Sequence, residues 1–208
     1  ARLFGRPGII SAVGKDFPAS QVKALEALGV DLAGVQQLPD RKTFSWEGKY
    51  LEGLRERETL KVDVGIFEAF EPKVPESWKN VPFLFLANGS PEHQLSVLKQ
   101  ARGAKCIVAD SMNLWISTQM DGVTEVFRKS NGVIINDEEA RQFTEEQNLL
   151  VAARKIAALG PLFVVVKRGE NGCLCIYGRD VLVLPAFPLE GYLDPTGAGD
   201  SFAGAVMG

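Results

Sequence analysis

Asp194-Pro195-Thr196-Gly197-Ala198-Gly199-Asp200-Ser201-Phe202-Ala203-Gly204 is the most informative stretch of this 208-residue chain. A turn-forming Asp-Pro pair leads through small residues into a helix of small and apolar side chains. Gly197 and Gly199 let the backbone approach a ligand with no Cβ in the way. The first N–H groups of the helix lack intrahelical partners and lie at the positive end of its dipole, which makes an anion hole suited to phosphate. Asp200 falls in the first turn, where a carboxylate can take the proton of a hydroxyl that attacks a γ-phosphate. On spacing alone, an aspartate near a helix start is more simply a favourable N-terminal charge. The chain holds no G-x-x-x-x-G-K-[ST], which excludes a P-loop kinase, and Gly197-Ala198-Gly199 lacks the third glycine of a dinucleotide-binding turn.

Upstream, short apolar runs alternate with longer amphipathic ones, the pattern of an α/β fold, doubly wound around a mostly parallel sheet. The predicted strands are Gly8–Val13, Val81–Ala87, Lys105–Ala109, Gly132–Ile135, Leu162–Val166 and Cys173–Tyr177, rich in Val, Ile and Phe as strands covered on both faces are. Helices are predicted over Ala19–Leu28, ending at Gly29, over Ser90–Arg102, with Ser90 as N-cap and Pro91 at the first position, and over Glu146–Leu159. Residues 39–70 break this pattern. Thr43 to Tyr50 and Leu60 to Val64 alternate apolar with polar residues, as antiparallel strands with one wet face do. They form either a lid over a site or an edge hairpin of the sheet.

Charge is nearly balanced, 23 basic against 26 acidic side chains, with no Lys/Arg-rich run to suggest a nucleic-acid or membrane-surface partner. Leu162–Val166, among the longest apolar runs, is far shorter than the ~20 residues that span a bilayer. Cys106, Cys173 and Cys175 are too few for a disulfide framework, and His93 is the only histidine. Free thiols fit a reducing compartment, the cytoplasm. Ala1 to Gly5 reads like the end of a helix already under way, and Ser201 to Gly208 like a helix that stops uncapped, so an interior piece of a longer protein is expected.

The eleven-residue motif closely resembles the C-terminal signature of the ribokinase (PfkB) carbohydrate kinases, and other segments follow that family's order. Asn136-Asp137-Glu138-Glu139 resembles its N-x-x-E motif, and Val165 to Gly172 its strand and G-x-x-G turn on the nucleotide side. Asp110-Ser111-Met112-Asn113 resembles its D-x-N segment, with one residue more and no Arg following. Val13-Gly14-Lys15-Asp16 and Leu28-Gly29-Val30-Asp31 match two further landmarks, and Thr43 onward aligns with the β-lid.

The resemblance implies a ribokinase-like fold, with a kinase core of residues 1–38 and 71–208, incomplete at both ends, and a β-lid over 39–70. It implies ATP and Mg²⁺, with Asp200 as catalytic base and Gly197, Ala198 and Gly199 as the anion hole. Asp194, Thr196, Lys167, Gly169 and Gly172 then lie against the nucleotide, Asn136 and Glu139 serve the metal, and Asp110 and Asn113 serve the substrate. Read without the resemblance, Asn136 is a helix cap above an acidic first turn, Lys167 a solvated side chain, and Glu170-Asn171-Gly172 a plain turn. The expected reaction moves the γ-phosphoryl of ATP to a primary alcohol of a sugar. A nucleoside is the next acceptor class, and a non-catalytic binding fragment the rival. Phe44, Trp46 and Tyr50 suit a sugar face, a base, or a homodimer formed through the lid.

Overall fold

The computed structural model describes residues 5–50, 57–191 and 194–208. Apart from Gly5, the helix end expected at Ala1–Gly5 lies outside them. Two compact units result: one runs to Glu76 and takes in Gly204–Val206 and Gly208, and the other comprises Ser77–Ala203 with Met207.

In the first unit, β1 (Gly8–Gly14), α1 (Ala19–Ala27) and β2 (Asp31–Leu38) make a βαβ unit, its strands parallel and paired from Gly8↔Asp31 to Gly14↔Leu38. The sequence pattern groups Gly8–Val13 with the strands of the main sheet. Its hydrogen-bond partner is instead β2, in a sheet of two strands. Gly34, Gln36 and Gln37 dilute the apolar signal of β2, which is why it escapes a search for apolar runs. Ala12, Ile66 and Phe70 form this unit's core, with Ile10 and Leu38 against it. Then β3 (Ser45–Tyr50) and β4 (Arg57–Asp63) pair as an antiparallel ribbon, with a register shift between Glu47 and Gly48. The entry to the ribbon is pinned. Thr43 donates from its N–H and its hydroxyl to Asp16 Oδ1 at 2.7 and 2.8 Å, and Thr43 Oγ1 accepts from Gly14 N–H at 2.9 Å. The Thr43 bonds hold the Asp16 carboxyl below its ordinary range. Phe44 packs on Phe67, and Phe67 on Phe70, at centroid separations of 5.3 and 5.8 Å.

The second unit is built on a six-stranded sheet of β5 (Phe83–Leu86), β6 (Cys106–Ala109), β7 (Gly132–Asn136), β8 (Phe163–Lys167), β9 (Cys173–Tyr177) and β10 (Asp180–Leu184), ordered β10-β9-β8-β7-β6-β5. The pairs from β5 to β8 are parallel, while β9 and β10 are antiparallel additions. The first four residues of β7 are buried, as a strand covered on both faces requires. Helices α2 (Pro91–Gln100), α3 (Asn113–Thr118), α4 (Met120–Arg128), α5 (Asp137–Thr144) and α6 (Leu149–Ala157) belong to this unit, as do residues 198–203 of α7 (Ala198–Val206). Ser90 caps α2 as its sequence predicts, accepting from His93 N–H at 3.3 Å. The helix expected from Glu146 begins three residues later, because Asn148 Oδ1 accepts from the N–H groups of Leu150 and Val151 and sets its first turn. Val108, Ile134, Val165, Cys173 and Ala203 form a core cluster, packed by Phe85, Phe163 and Phe202 among others. Ala203 and Phe202 thus seat α7 on the sheet. Cys173 and Cys175 lie in the same cluster on one face of β9, and burial pushes the Cys175 thiol up.

No helix among the described residues is long and apolar enough to cross a membrane.

Candidate active site

In an open parallel sheet, ligands gather outside the carboxyl ends of the strands. Three polar residues singled out in the sequence stand at that edge. Asp110 directly follows β6, Asn136 ends β7 and Lys167 ends β8, with Asn136 and Lys167 partners in the strand register. All belong to the unit that also carries Asp194 and Asp200.

The densest polar contact in this group is an ion pair. Lys167 Nζ lies 3.2 Å from Asp110 Oδ2, with only 16% and 6% of the two side chains exposed. Ser111 N–H donates to Asp110 Oδ1 at 2.8 Å. Burial pushes the Asp110 carboxyl above its ordinary value; the Lys167 charge and the Ser111 bond oppose this, and the negative charge of Asp200 adds to it. The same ammonium reaches the start of α7. A Cβ placed on Gly199 would stand 3.4 Å from Lys167 Nζ. Asp110, Lys167, Gly199 and Asp200 therefore form one group, although 57 residues separate the first two.

The turn into α7 is made locally. Asp194 Oδ1 accepts from Thr196 N–H at 2.8 Å, and Thr196 holds the exposed Asp194 carboxyl below its ordinary range. Gly197 adopts φ +78°, in the left-handed region, with open space where a Cβ would be. Ala198 N–H donates to Pro195 O at 3.1 Å, so a bound anion would compete with that carbonyl for this amide. After β8, Gly169–Asn171 forms a 3-10 turn, and Gly172 at φ +81° brings the chain against Leu184 and Ala186, where any Cβ would collide with their backbone.

Asn136 and Glu139 make a capping box. Asn136 Oδ1 accepts from Glu139 N–H at 2.8 Å, and Glu139 Oε2 accepts from Asn136 N–H at 3.0 Å. Each oxygen keeps acceptor capacity, and an amide with a carboxylate is the hard-oxygen donor set that suits Mg²⁺ acting through its waters. No group of three or more His, Cys, Asp or Glu gathers to hold a metal ion among the described residues. Asn113, at the start of α3, donates from its amide to Gln142 Oε1 at 2.8 Å, and Gln142 donates back to Asn113 O at 3.3 Å.

Sequence reading misses one member of the site. Gln94, on α2 and 6% exposed, donates from Nε2 to the carbonyls of Leu86, Ala87 and Asp110 at 3.1, 3.0 and 2.9 Å. It joins the ends of β5 and β6 and fixes the backbone from which Asp110 projects. A glutamine on an amphipathic helix carries no sequence signal of such a role.

Comparison with known proteins fits this arrangement: the description "pfkB family carbohydrate kinase" matches residues 1–208. The chain belongs to the pfkB family. A cytidine kinase of Thermococcus kodakarensis is 30% identical over 205 residues, covering 96% of this chain and 72% of that protein. A protein of Pyrococcus horikoshii, provisionally named a sugar kinase, is 26% identical over 218 residues, covering the whole of this chain and 68% of the relative. The chain thus spans about seven tenths of these two relatives' length. Among solved structures, an Escherichia coli protein provisionally described as ribokinase II, in complex with ATP and Mg²⁺, superposes with a TM-score of 0.82 at 22% identity, over 98% of this chain and 70% of the other. That likeness establishes the ribokinase fold.

Proposed function

We propose that this pfkB-family protein transfers the γ-phosphoryl group of ATP to the primary hydroxyl of a nucleoside. The observation that carries the reading is Asp200 in the first turn of α7, within reach of the charge of Asp110 and behind a turn that ends in two glycines. The acceptor oxygen attacks the γ-phosphorus and forms the new O–P bond. The bond from that phosphorus to the β,γ-bridging oxygen breaks, ADP leaves, and the hydroxyl proton passes to the Asp200 carboxylate. Amides of Gly197, Ala198 and Gly199 receive the phosphoryl oxygens at the helix N-terminus. Asp194, Thr196, Gly169 and Gly172 shape the turns that border the nucleotide, and Lys167 extends toward its phosphates. Mg²⁺, when bound, would supply neutralising charge to the phosphates, and the side-chain oxygens of Asn136 and Glu139 would hold it. The acceptor side draws on the Asp110–Asn113 loop.

Sequence reading ranks a sugar first and a nucleoside second. The 30% identity to a cytidine kinase favours the nucleoside, and the relative named as a sugar kinase supports a free sugar as the second reading. A nucleoside presents the same chemistry, a primary alcohol on a furanose.

Coupled measurement of ADP release across nucleosides and sugars, with Asp200→Asn alongside, tests the reading. Turnover on a nucleoside, reduced by roughly 10²–10⁴-fold in the variant, is the expected result. Turnover confined to free sugars shifts the acceptor class, and an undiminished variant removes Asp200 from the chemistry.

A further inference from the structure

Lys167 occupies an electrostatically awkward place. Its ammonium stands against Gly199 in the first turn of α7, at the positive end of that helix dipole. A cation there is disfavoured unless negative charge accompanies it. Asp110 supplies one such charge at 3.2 Å, from a side chain only 6% exposed. A buried pair of this kind seldom adds net stability over an apolar pair of similar size. Stability alone is therefore a poor reason to hold an ammonium at that spot. A phosphoryl group arriving at the helix N-terminus meets the positive end of the dipole and a fixed ammonium together, and both act on the same oxygens.

We propose that Asp110 and Lys167 act as one unit, in which Lys167 places its ammonium on the transferred phosphoryl group at the N-terminus of α7 and Asp110 is the positioning residue that holds it there. The assignment rests on the phosphoryl-transfer reading above and changes the role of Asp110, which serves Lys167 rather than the acceptor. Gln94 supports the unit from behind through its bond to the Asp110 carbonyl. Charge on the equatorial oxygens is spread and stabilised in the transition state, so a preorganised cation should act on kcat more than on acceptor binding. Burial raises the cost of ionising Asp110, and the facing Lys167 charge, 3.2 Å away, opposes that rise.

The test is a double-mutant cycle on the whole protein, with kcat, acceptor KM and melting temperature measured for Lys167→Met, Lys167→Arg, Asp110→Asn and the Asp110→Asn/Lys167→Met double variant. Loss of the ammonium should lower kcat roughly 100-fold with acceptor KM changed only a few-fold. Asp110→Asn alone should lower kcat about 10-fold, in the range seen when a supporting partner is removed. The double variant should be no slower than Lys167→Met, since the two residues act as a unit. Lys167→Arg should recover part of the rate, because it keeps the charge in a different shape. Should Lys167→Met fail to fold with its carboxylate left unpaired, the double variant, which buries no lone charge, carries the test. Parent-like kcat in the double variant, losses that multiply, or equal rates for Lys167→Met and Lys167→Arg would overturn the proposal. Calorimetric titration with ATP separates it from the kinase reading. ATP affinity about 10-fold weaker in the double variant than in the parent supports the unit even if no acceptor is phosphorylated, and equal affinities refute it.

Discussion

Gln94 Nε2 donates to the carbonyl of Asp110 at 2.9 Å, across 16 residues of sequence. Through this bond a helix on the flank of the sheet controls where the first charged residue after β6 points. The two further carbonyls that accept from Gln94, at Leu86 and Ala87, bind the neighbouring strand end to the same anchor. The carboxyl edge of the sheet is held from below by an amide before any ligand enters.

Replacing Gln94 by Leu keeps the volume and removes the donor. Leu86 O retains Asp110 N–H at 2.9 Å as a second partner, so not every carbonyl is orphaned. We expect a stability loss of about 1–3 kcal/mol, the cost of leaving buried acceptors unpaired. Denaturant melts of parent and variant measure it; an unchanged midpoint would mean that water replaces the amide.

At Asn136, the cap and the proposed metal role separate by substitution. Asn136→Ala should cost about 0.5–2 kcal/mol, whereas Asn136→Asp keeps an oxygen for Glu139 N–H and should stay near the parent. Both variants should alter the Mg²⁺ concentration needed for half-maximal activity. A Mg²⁺ dependence that tracks stability alone would leave Asn136 as a cap only.

Two glycines with similar φ should respond differently to alanine. Gly197→Ala strains φ +78° but meets open space, costing about 1–2 kcal/mol. Gly172→Ala, at φ +81°, adds a collision with the Leu184 carbonyl and should destabilise more. Melting temperatures rank them. Gly197→Ala should also weaken ATP binding at a melting temperature nearer the parent's than that of Gly172→Ala, whose added Cβ meets the chain leaving β10.

The pH dependence of stability follows from Asp110. Its folded pKa is raised above 3.8, so the native state holds this proton more tightly than the unfolded chain does. Its contribution to stability is therefore full below pH 3.8 and is lost as pH rises toward the raised value. The groups facing it are Lys167, whose charge limits the shift, and Asp200, whose charge extends it. Asp110→Asn should flatten this part of the profile. A parent whose stability relative to that variant grows with rising pH would contradict the assigned direction.

The legible parts of this protein were those with local causes. Ser90 caps α2, the motif at Asp194–Gly204 turns into a helix carrying Asp200 in its first turn, and the Val- and Ile-rich runs become strands. Strand β2, the exposed strand β10 and helices α3 and α4 were not singled out. Their apolar positions are diluted by glutamine and glycine, or their segments are short, so they depend on partners for their definition. Asn136 illustrates the overlap of roles: the cap is visible in the sequence and present in the structure, and the same oxygens remain the proposed Mg²⁺ donors.

By itself the sequence determined the fold family and the position of Asp200, because a turn, two glycines and a helix start act within one contiguous segment. Only the tertiary structure decided that Asp110 meets Lys167 and that Lys167 reaches Gly199. Those contacts join the ends of two different strands to the start of a helix. Strand order and register bring such ends together, and no local pattern in the chain encodes that distance.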